Sequence, residues 1–159
     1  MNAQYSVEKL QNMVEALALN DGFGCYTRNG FELTVWPQMR DQAKWIIFFD
    51  IDGMHALDEK YGYDRVDAMI KPVLLDVRST DYVAGQWLSG DEFIICITDR
   101  RSGMCDPQGM VDRLVDGLKQ NGISATFAIA PVVSRDLAEN VAPAIEQVCA
   151  AKKQRGCVR

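Results

Sequence analysis

The run Lys44-Trp45-Ile46-Ile47-Phe48-Phe49-Asp50-Ile51 constrains this chain more than any other segment. Its uninterrupted apolar and aromatic stretch is far shorter than the roughly 18 residues of a membrane span. It also lacks the polar alternate positions of a half-exposed strand. The segment therefore predicts a central strand covered on both faces. No apolar run in the chain is long enough to span a bilayer, and the N-terminus has no basic segment followed by a long apolar one, so a cytoplasmic protein without a membrane span is expected. Asp50 stands at the end of this strand, where a carboxylate is costly without a partner.

A second pair of apolar segments brackets Ser89-Gly90-Asp91-Glu92-Phe93. Tyr82-Val83-Ala84 and Trp87-Leu88 precede it, and Phe93-Ile94-Ile95-Cys96-Ile97 follows. Two strand-like runs separated by Gly-Asp predict a β-hairpin, with Gly90 supplying the positive φ of a tight turn and Asp91 and Glu92 displayed at the tip. Acidic groups at a turn are either solvated or held for a cation, and this segment alone leaves both readings open.

Around these strands, residues 6–19 have helical spacing with Ser6 as N-cap and Glu8 in the first turn. Residues 20–30 read as a loop, and Pro37 limits any helix begun at Phe31. Helical periodicity returns at 56–61 and 64–77, with Gly62 as the break and a kink at Pro72. A helix at 107–121 places Met110, Leu114 and Leu118 on one face and stops before Gly122. Residues 124–133 read as a strand, and 136–153 as a helix restarted near Pro143. The order α, β, α, α, β, β, α, β, α, with a hairpin among the central strands, predicts an α+β fold with helices around one mixed sheet.

With 159 residues, of which 48% are hydrophobic, the chain suits one domain: an N-terminal helix over 1–19 followed by the domain proper over 20–159. The five cysteines have no metal-type spacing, which argues for reduced thiols and against a structural zinc site. The net charge of -5 argues against a broad nucleic-acid footprint but not against a nucleotide bound through a metal ion.

If the strand ending in Asp50-Ile51-Asp52 neighbours the hairpin, its carboxylates converge with Asp91 and Glu92 at one edge of the sheet. One or two carboxylates, phosphate oxygens and water suffice for Mg²⁺. Such a site would polarise an attacking hydroxyl and neutralise a leaving pyrophosphate. Asp52 is read either as part of this group or as the N-cap of the following helix.

Here the sequence resembles the diguanylate cyclase family, whose signature is GGDEF. The segment DIDGMHALDEKYGYDRVD at 50–67 is similar to the family's DIDHFKxINDxxGHxxGD, SGDEF stands where the hairpin signature belongs, and NDGFGCYTRNGF at 20–31 resembles the family's DxLTGLxNRxxF. The resemblance covers about residues 20–156. It implies a palm-like nucleotidyl cyclase fold that condenses two GTP into cyclic di-GMP with release of pyrophosphate, each 3'-hydroxyl attacking the other nucleotide's α-phosphate within a transient homodimer. On that resemblance Asp50, the Ile51 carbonyl and Asp91 hold Mg²⁺ or Mn²⁺, with Glu92 assisting at the same edge. Ser89 and Gly90 lie against the nucleotide. Asp58 and Asp67 accept from the N1–H and N2 amine of guanine, as pure acceptors suit that edge; the plain alternative is a solvated helix face. Lys152, in AKKQRG, matches the family's phosphate-binding lysine. Arg78-Ser79-Thr80-Asp81 has the RxxD form of the family's product-inhibition site, in which Arg78 and Asp81 would hold guanine, or else is a chance pairing of a helix end with a loop.

The chain departs from the family at several positions. Ser89 replaces the first signature glycine, Asp58 an asparagine, Gly53-Met54-His55 the usual HFK, and Tyr63 a histidine, while Gly156 stands where an arginine belongs and Arg155 is displaced by one. His55 is as readily a surface residue as a functional one. These departures leave two further readings beside the cyclase: a non-catalytic module that binds GTP or cyclic di-GMP and signals through a partner, and a cyclase of altered nucleotide choice. No sensory segment is read in the sequence, so either it is a domain cut from a longer chain or its activity is controlled by a separate regulatory protein.

Overall fold

A computed structural model of the chain describes residues 6–20, 22–76, 82–98 and 106–156, with the side chains of 13–20 left aside. Helix α1 (Val7–Ala18) starts as expected, the Lys9 amide donating to Ser6 Oγ at 3.2 Å. The core is a six-stranded sheet in the order β1-β2-β4-β5-β3-β6, formed by Leu19–Asn20 (β1), Cys25–Tyr26 (β2), Ala43–Ile51 (β3), Tyr82–Gln86 (β4), Glu92–Thr98 (β5) and Ala125–Pro131 (β6). β2 runs parallel to β4 and the other pairings are antiparallel, so the sheet is mixed. The fold is α+β.

β3 sits between β5 and β6. Its alternate side chains enter two separate cores, which explains why the segment shows no polar alternation. Ile47, Phe49 and Ile51 join Phe93, Ile95 and Ile97 on one face, beneath α5 (Tyr63–Asp76) and α6 (Pro107–Lys119). Ile46 and Phe48 join Ile94 and Cys96 on the other, beneath α7 (Leu137–Gln154) and the helical stretch of 28–39. On the first face Phe49 lies stacked between Phe93 and Phe127, with ring centroids 5.2 and 5.0 Å away, and Phe23 meets Phe93 edge-on at 5.1 Å.

Three helical details differ from the expectations drawn from prolines and glycines. The chain is helical from residue 28 to residue 39, through α2 (Arg28–Gly30), a π-helical turn (Phe31–Val35) and α3 (Trp36–Met39), although Pro37 lies inside it. The wide turn shifts the hydrogen-bond register, the Trp36 amide reaching back to the Phe31 carbonyl, just before the residue that lacks a donor. α7 likewise runs unbroken through Pro143. Pro143 is exposed, while Leu137, Val141, Ala144, Val148 and Lys152 continue one buried stripe past it. The helix at 54–61 (α4, Met54–Tyr61) begins at Gly53 in the left-handed conformation (φ 63°) without a side-chain cap, so Asp52 is not its N-cap.

Gly85 shows why a small residue stands in β4. A Cβ there would lie 2.6 Å from Phe31 Cδ2 and 3.0 Å from its Cβ, and Phe31 is fully buried. Gly85→Ala is expected to cost about 1–3 kcal/mol by overpacking, measured as a fall in the urea midpoint. An unchanged midpoint would show that Phe31 can yield.

Cys25 and Cys96 are buried cysteines outside any disulfide and Cys149 is a half-buried one; Cys105 and Cys157 lie outside the described residues. Among the described residues no helix is long and apolar enough to cross a membrane.

Candidate functional site

Strand register brings the carboxylates together. Asp50 in β3 is the direct cross-strand partner of Glu92 in β5 and of Thr126 in β6. All three therefore project on the same face as Ile46, Phe48 and Ile94, the face covered by α7. Glu92 is thus not at the hairpin tip: it opens β5, is 7% exposed and faces Asp50, because the connection spans residues 87–91 rather than a two-residue turn. The Trp87 amide donates to the Glu92 carbonyl at 2.9 Å, and the Glu92 amide to the Ser89 carbonyl at 3.2 Å, closing that longer loop. Gly90 does not adopt the positive φ expected of it. Its surroundings are open, with nothing within 4 Å of where a Cβ would stand.

Asp91 is at the loop. Its carbonyl accepts from the Ile51 amide at 2.9 Å, and Ser89 Oγ donates to its carboxylate at 2.6 Å. Asp50, Ile51, Asp91 and Glu92 are thereby drawn to one end of the sheet.

The buried Asp50 is balanced by α7. Lys152, following the buried stripe of that helix, puts its Nζ 2.8 Å from Asp50 Oδ1 and 3.3 Å from Asp52 Oδ1. Lys152 is only 9% exposed, so it is an internal cation rather than one on an open helix face. Asp52 also accepts from Thr126 Oγ1 at 2.8 Å and Ser124 Oγ at 3.0 Å. Burial raises its pKa, but those two hydrogen bonds and the Lys152 charge outweigh burial and leave it below the ordinary value. Arg155 adds a guanidinium 3.7 Å from Asp52 and a hydrogen bond to Thr126 Oγ1. The displaced arginine thus remains at the same end of the sheet. Ser124 and Thr126 were missed from sequence because only strand pairing brings them to Asp52.

A cleft of about 400 Å³ opens on the other side of the loop, lined by Phe23, Met54, His55, Asp58, Tyr63, Asp67, Gly90 and Asp91. That volume lies within the range of small-ligand pockets. Asp58 and Asp67, from α4 and α5, thus share one cavity with the signature loop, while Ser89 is exposed beside it. Asp58 Oδ1 is shut off from solvent without a hydrogen-bond donor, a demand that a ligand could meet. Burial raises the pKa of Asp58, with the Asp91 charge adding and His55 opposing; burial, then Asp58 and Asp64, raise that of Asp67. Folded-state values above the unfolded ones mean that the free protein loses stability as pH rises through that window. Asp58→Asn should therefore raise the melting temperature at about pH 7 and leave it unchanged at about pH 3. An equal shift at both pH values in thermal melts would exclude the electrostatic cause.

His55 lies at the cleft rim, its side chain 84% exposed and its Nε2 3.1 Å from Glu59 Oε1. Arg78 and Asp81, the two members of the RxxD sequence, lie outside the described residues. No group of three or more His, Cys, Asp or Glu among the described residues is gathered to hold a metal ion. The donors at this end of the sheet are all hard oxygens, however, which is the chemistry Mg²⁺ takes when phosphate and water complete its shell.

The arrangement of sheet and helices is similar to known structures. The diguanylate cyclase SiaD of Pseudomonas aeruginosa, solved with its activator SiaC, superposes with a TM-score of 0.72 at 16% identity, over 92% of this chain and 62% of that one. The coiled coil and GGDEF domain of DgcB from Caulobacter crescentus, in complex with c-di-GMP, gives 0.67 at 14% identity, over 94% and 87%. The chain folds as a GGDEF domain. In sequence, the bifunctional diguanylate cyclase/cyclic di-GMP phosphodiesterase MucR of Pseudomonas aeruginosa is 28% identical over 94 residues. That match takes in 56% of this chain and 13% of MucR, so the chain spans a small part of its curated relative. No family model matches.

Proposed function

We propose that this GGDEF domain is a divergent diguanylate cyclase, which binds GTP at the cleft and condenses two GTP into cyclic di-GMP. The observation that carries this reading is the shared cleft: Asp58 and Asp67 line the same cavity as Gly90 and Asp91, next to the buried Asp50 and Glu92. Asp58 and Asp67 offer acceptors to the donor edge of guanine, and the unpartnered Asp58 Oδ1 gives such a donor a reason to bind. Open space at Gly90 lets the ligand approach the backbone. Asp50, the Ile51 carbonyl and Asp91 would hold Mg²⁺ or Mn²⁺, with Glu92 beside them, and Lys152 would meet phosphate. The bound cation would supply a more acidic 3'-hydroxyl and neutralise the leaving pyrophosphate.

Each 3'-oxygen gives up its hydroxyl proton to solvent and forms a bond to the α-phosphorus of the other nucleotide as the bond to pyrophosphate breaks. Two half-sites must face each other for this, which requires a transient homodimer. The solved complex of SiaD with an activator supports a separate regulatory protein for this chain as well.

One observation favours the second reading, a nucleotide-binding module without turnover: the Lys152 ammonium already occupies Asp50 Oδ1. Incubation at high protein concentration with GTP or ATP and Mg²⁺ or Mn²⁺, followed by chromatography, separates the readings. Cyclic di-GMP from GTP is expected. Bound GTP without product would leave the binding module, and a product from ATP would mark altered nucleotide choice.

A further inference from the structure

Lys152 touches the carboxylate that the proposed function gives to a metal ion. Its Nζ is 2.8 Å from Asp50 Oδ1, and Asp50 is 1% exposed. A divalent cation and an ammonium cannot share that oxygen without strong repulsion in so buried a place. Asp52, in contrast, keeps hydrogen bonds from Thr126 and Ser124 and the nearby charge of Arg155 without Lys152. Lys152 is therefore the mobile half of the cluster: its flexible stem can carry the charge elsewhere while Asp52 stays satisfied.

We infer that Lys152 is the resident counter-ion of Asp50, and that a divalent cation binds Asp50 only together with a polyphosphate that draws the ammonium away. Without an anion, a lysine pushed off Asp50 keeps only Asp52, 3.3 Å away, as its counter-charge in a buried place beside the new divalent charge, so metal alone is opposed. With a triphosphate, the lysine exchanges one set of oxygens for another. Metal and nucleotide binding are then coupled, each favouring the other, and the free protein is held in a cation-balanced state.

This rests on the metal reading above, and its test uses binding rather than turnover. Mn²⁺ binding to the nucleotide-free protein is followed by electron paramagnetic resonance and by thermal melting. The native protein should bind Mn²⁺ weakly and its melting temperature should hardly move. Lys152→Met should melt lower without metal, regain stability with Mn²⁺, and bind it at least about tenfold more tightly, since close buried charge pairs couple by this much or more. Lys152→Gln, which keeps a hydrogen-bond donor but no charge, should show the same gain if the Met variant fails to fold. Lys152→Arg, which keeps the charge, should remain weak. Equal Mn²⁺ affinity in the native, Met and Gln forms overturns the inference while leaving the metal site standing. Failure of every form to bind Mn²⁺, even with GTP present, removes the metal site itself and the inference with it.

Discussion

Phe93→Ala should destabilise the protein by about 3–5 kcal/mol, the range for removing a fully buried aromatic ring from a packed core. The ring is 0% exposed, stacks on Phe49 at 5.2 Å and meets Phe23 edge-on at 5.1 Å. Such aromatic pairs add roughly 0.5–1.5 kcal/mol beyond area burial. Phe49 carries the packing on to Phe127, so one truncation loosens three strands, β5, β3 and β6. The loss is large against a total stability of about 5–15 kcal/mol. Urea unfolding at constant m measures it. Leu88→Ala is the control: Leu88 is 75% exposed in the neighbouring loop and should change stability by less than about 0.5 kcal/mol. A cost below about 1 kcal/mol for Phe93→Ala would show that the core collapses into the gap. Since Glu92 and Asp91 immediately precede this ring, it also fixes the height at which both carboxylates stand.

How much of this could be read from sequence depended on whether the information was local. β3 was legible because burial on both faces leaves only one kind of pattern, an unbroken apolar run. The two acidic segments were legible because each lies beside such a run. The helix through Pro37 was not, because a π-helical turn that relocates the hydrogen bonds leaves no local signature beside a proline that ordinarily stops a helix. Gly90 pointed to a two-residue turn, whereas the loop is longer and the glycine keeps an ordinary φ. The partners of Asp52 were hidden for a different reason: Ser124 and Thr126 are 72 and 74 residues away, and register alone unites them. Lys152 shows a signal that could have been used. The spacing of Leu137, Val141, Ala144 and Val148 continues to 152, so the stripe itself says that this lysine points inward.

Asp91→Ala should abolish formation of cyclic product, by more than about 100-fold, since even residues that only support a metal ligand typically contribute 10–100-fold. The fold should survive, because the structural bond of this residue is made by its main chain: the Asp91 carbonyl receives the Ile51 amide at 2.9 Å, which alanine preserves. The side chain accepts only from the exposed Ser89 hydroxyl among the contacts of the described residues. Asp50→Ala is a poorer test of the same site, as it also strips the buried Lys152 of its nearest carboxylate, 2.8 Å away, and confuses lost chemistry with lost stability. Circular dichroism and melting temperature check the fold of the Asp91 variant, and product chromatography checks its chemistry. Loss of product with a native melting curve assigns the carboxylate to the reaction. Retained turnover would remove Asp91 from the proposed metal site and leave Asp50 and Glu92, cross-strand neighbours in the sheet, as the carboxylates proposed to hold a cation.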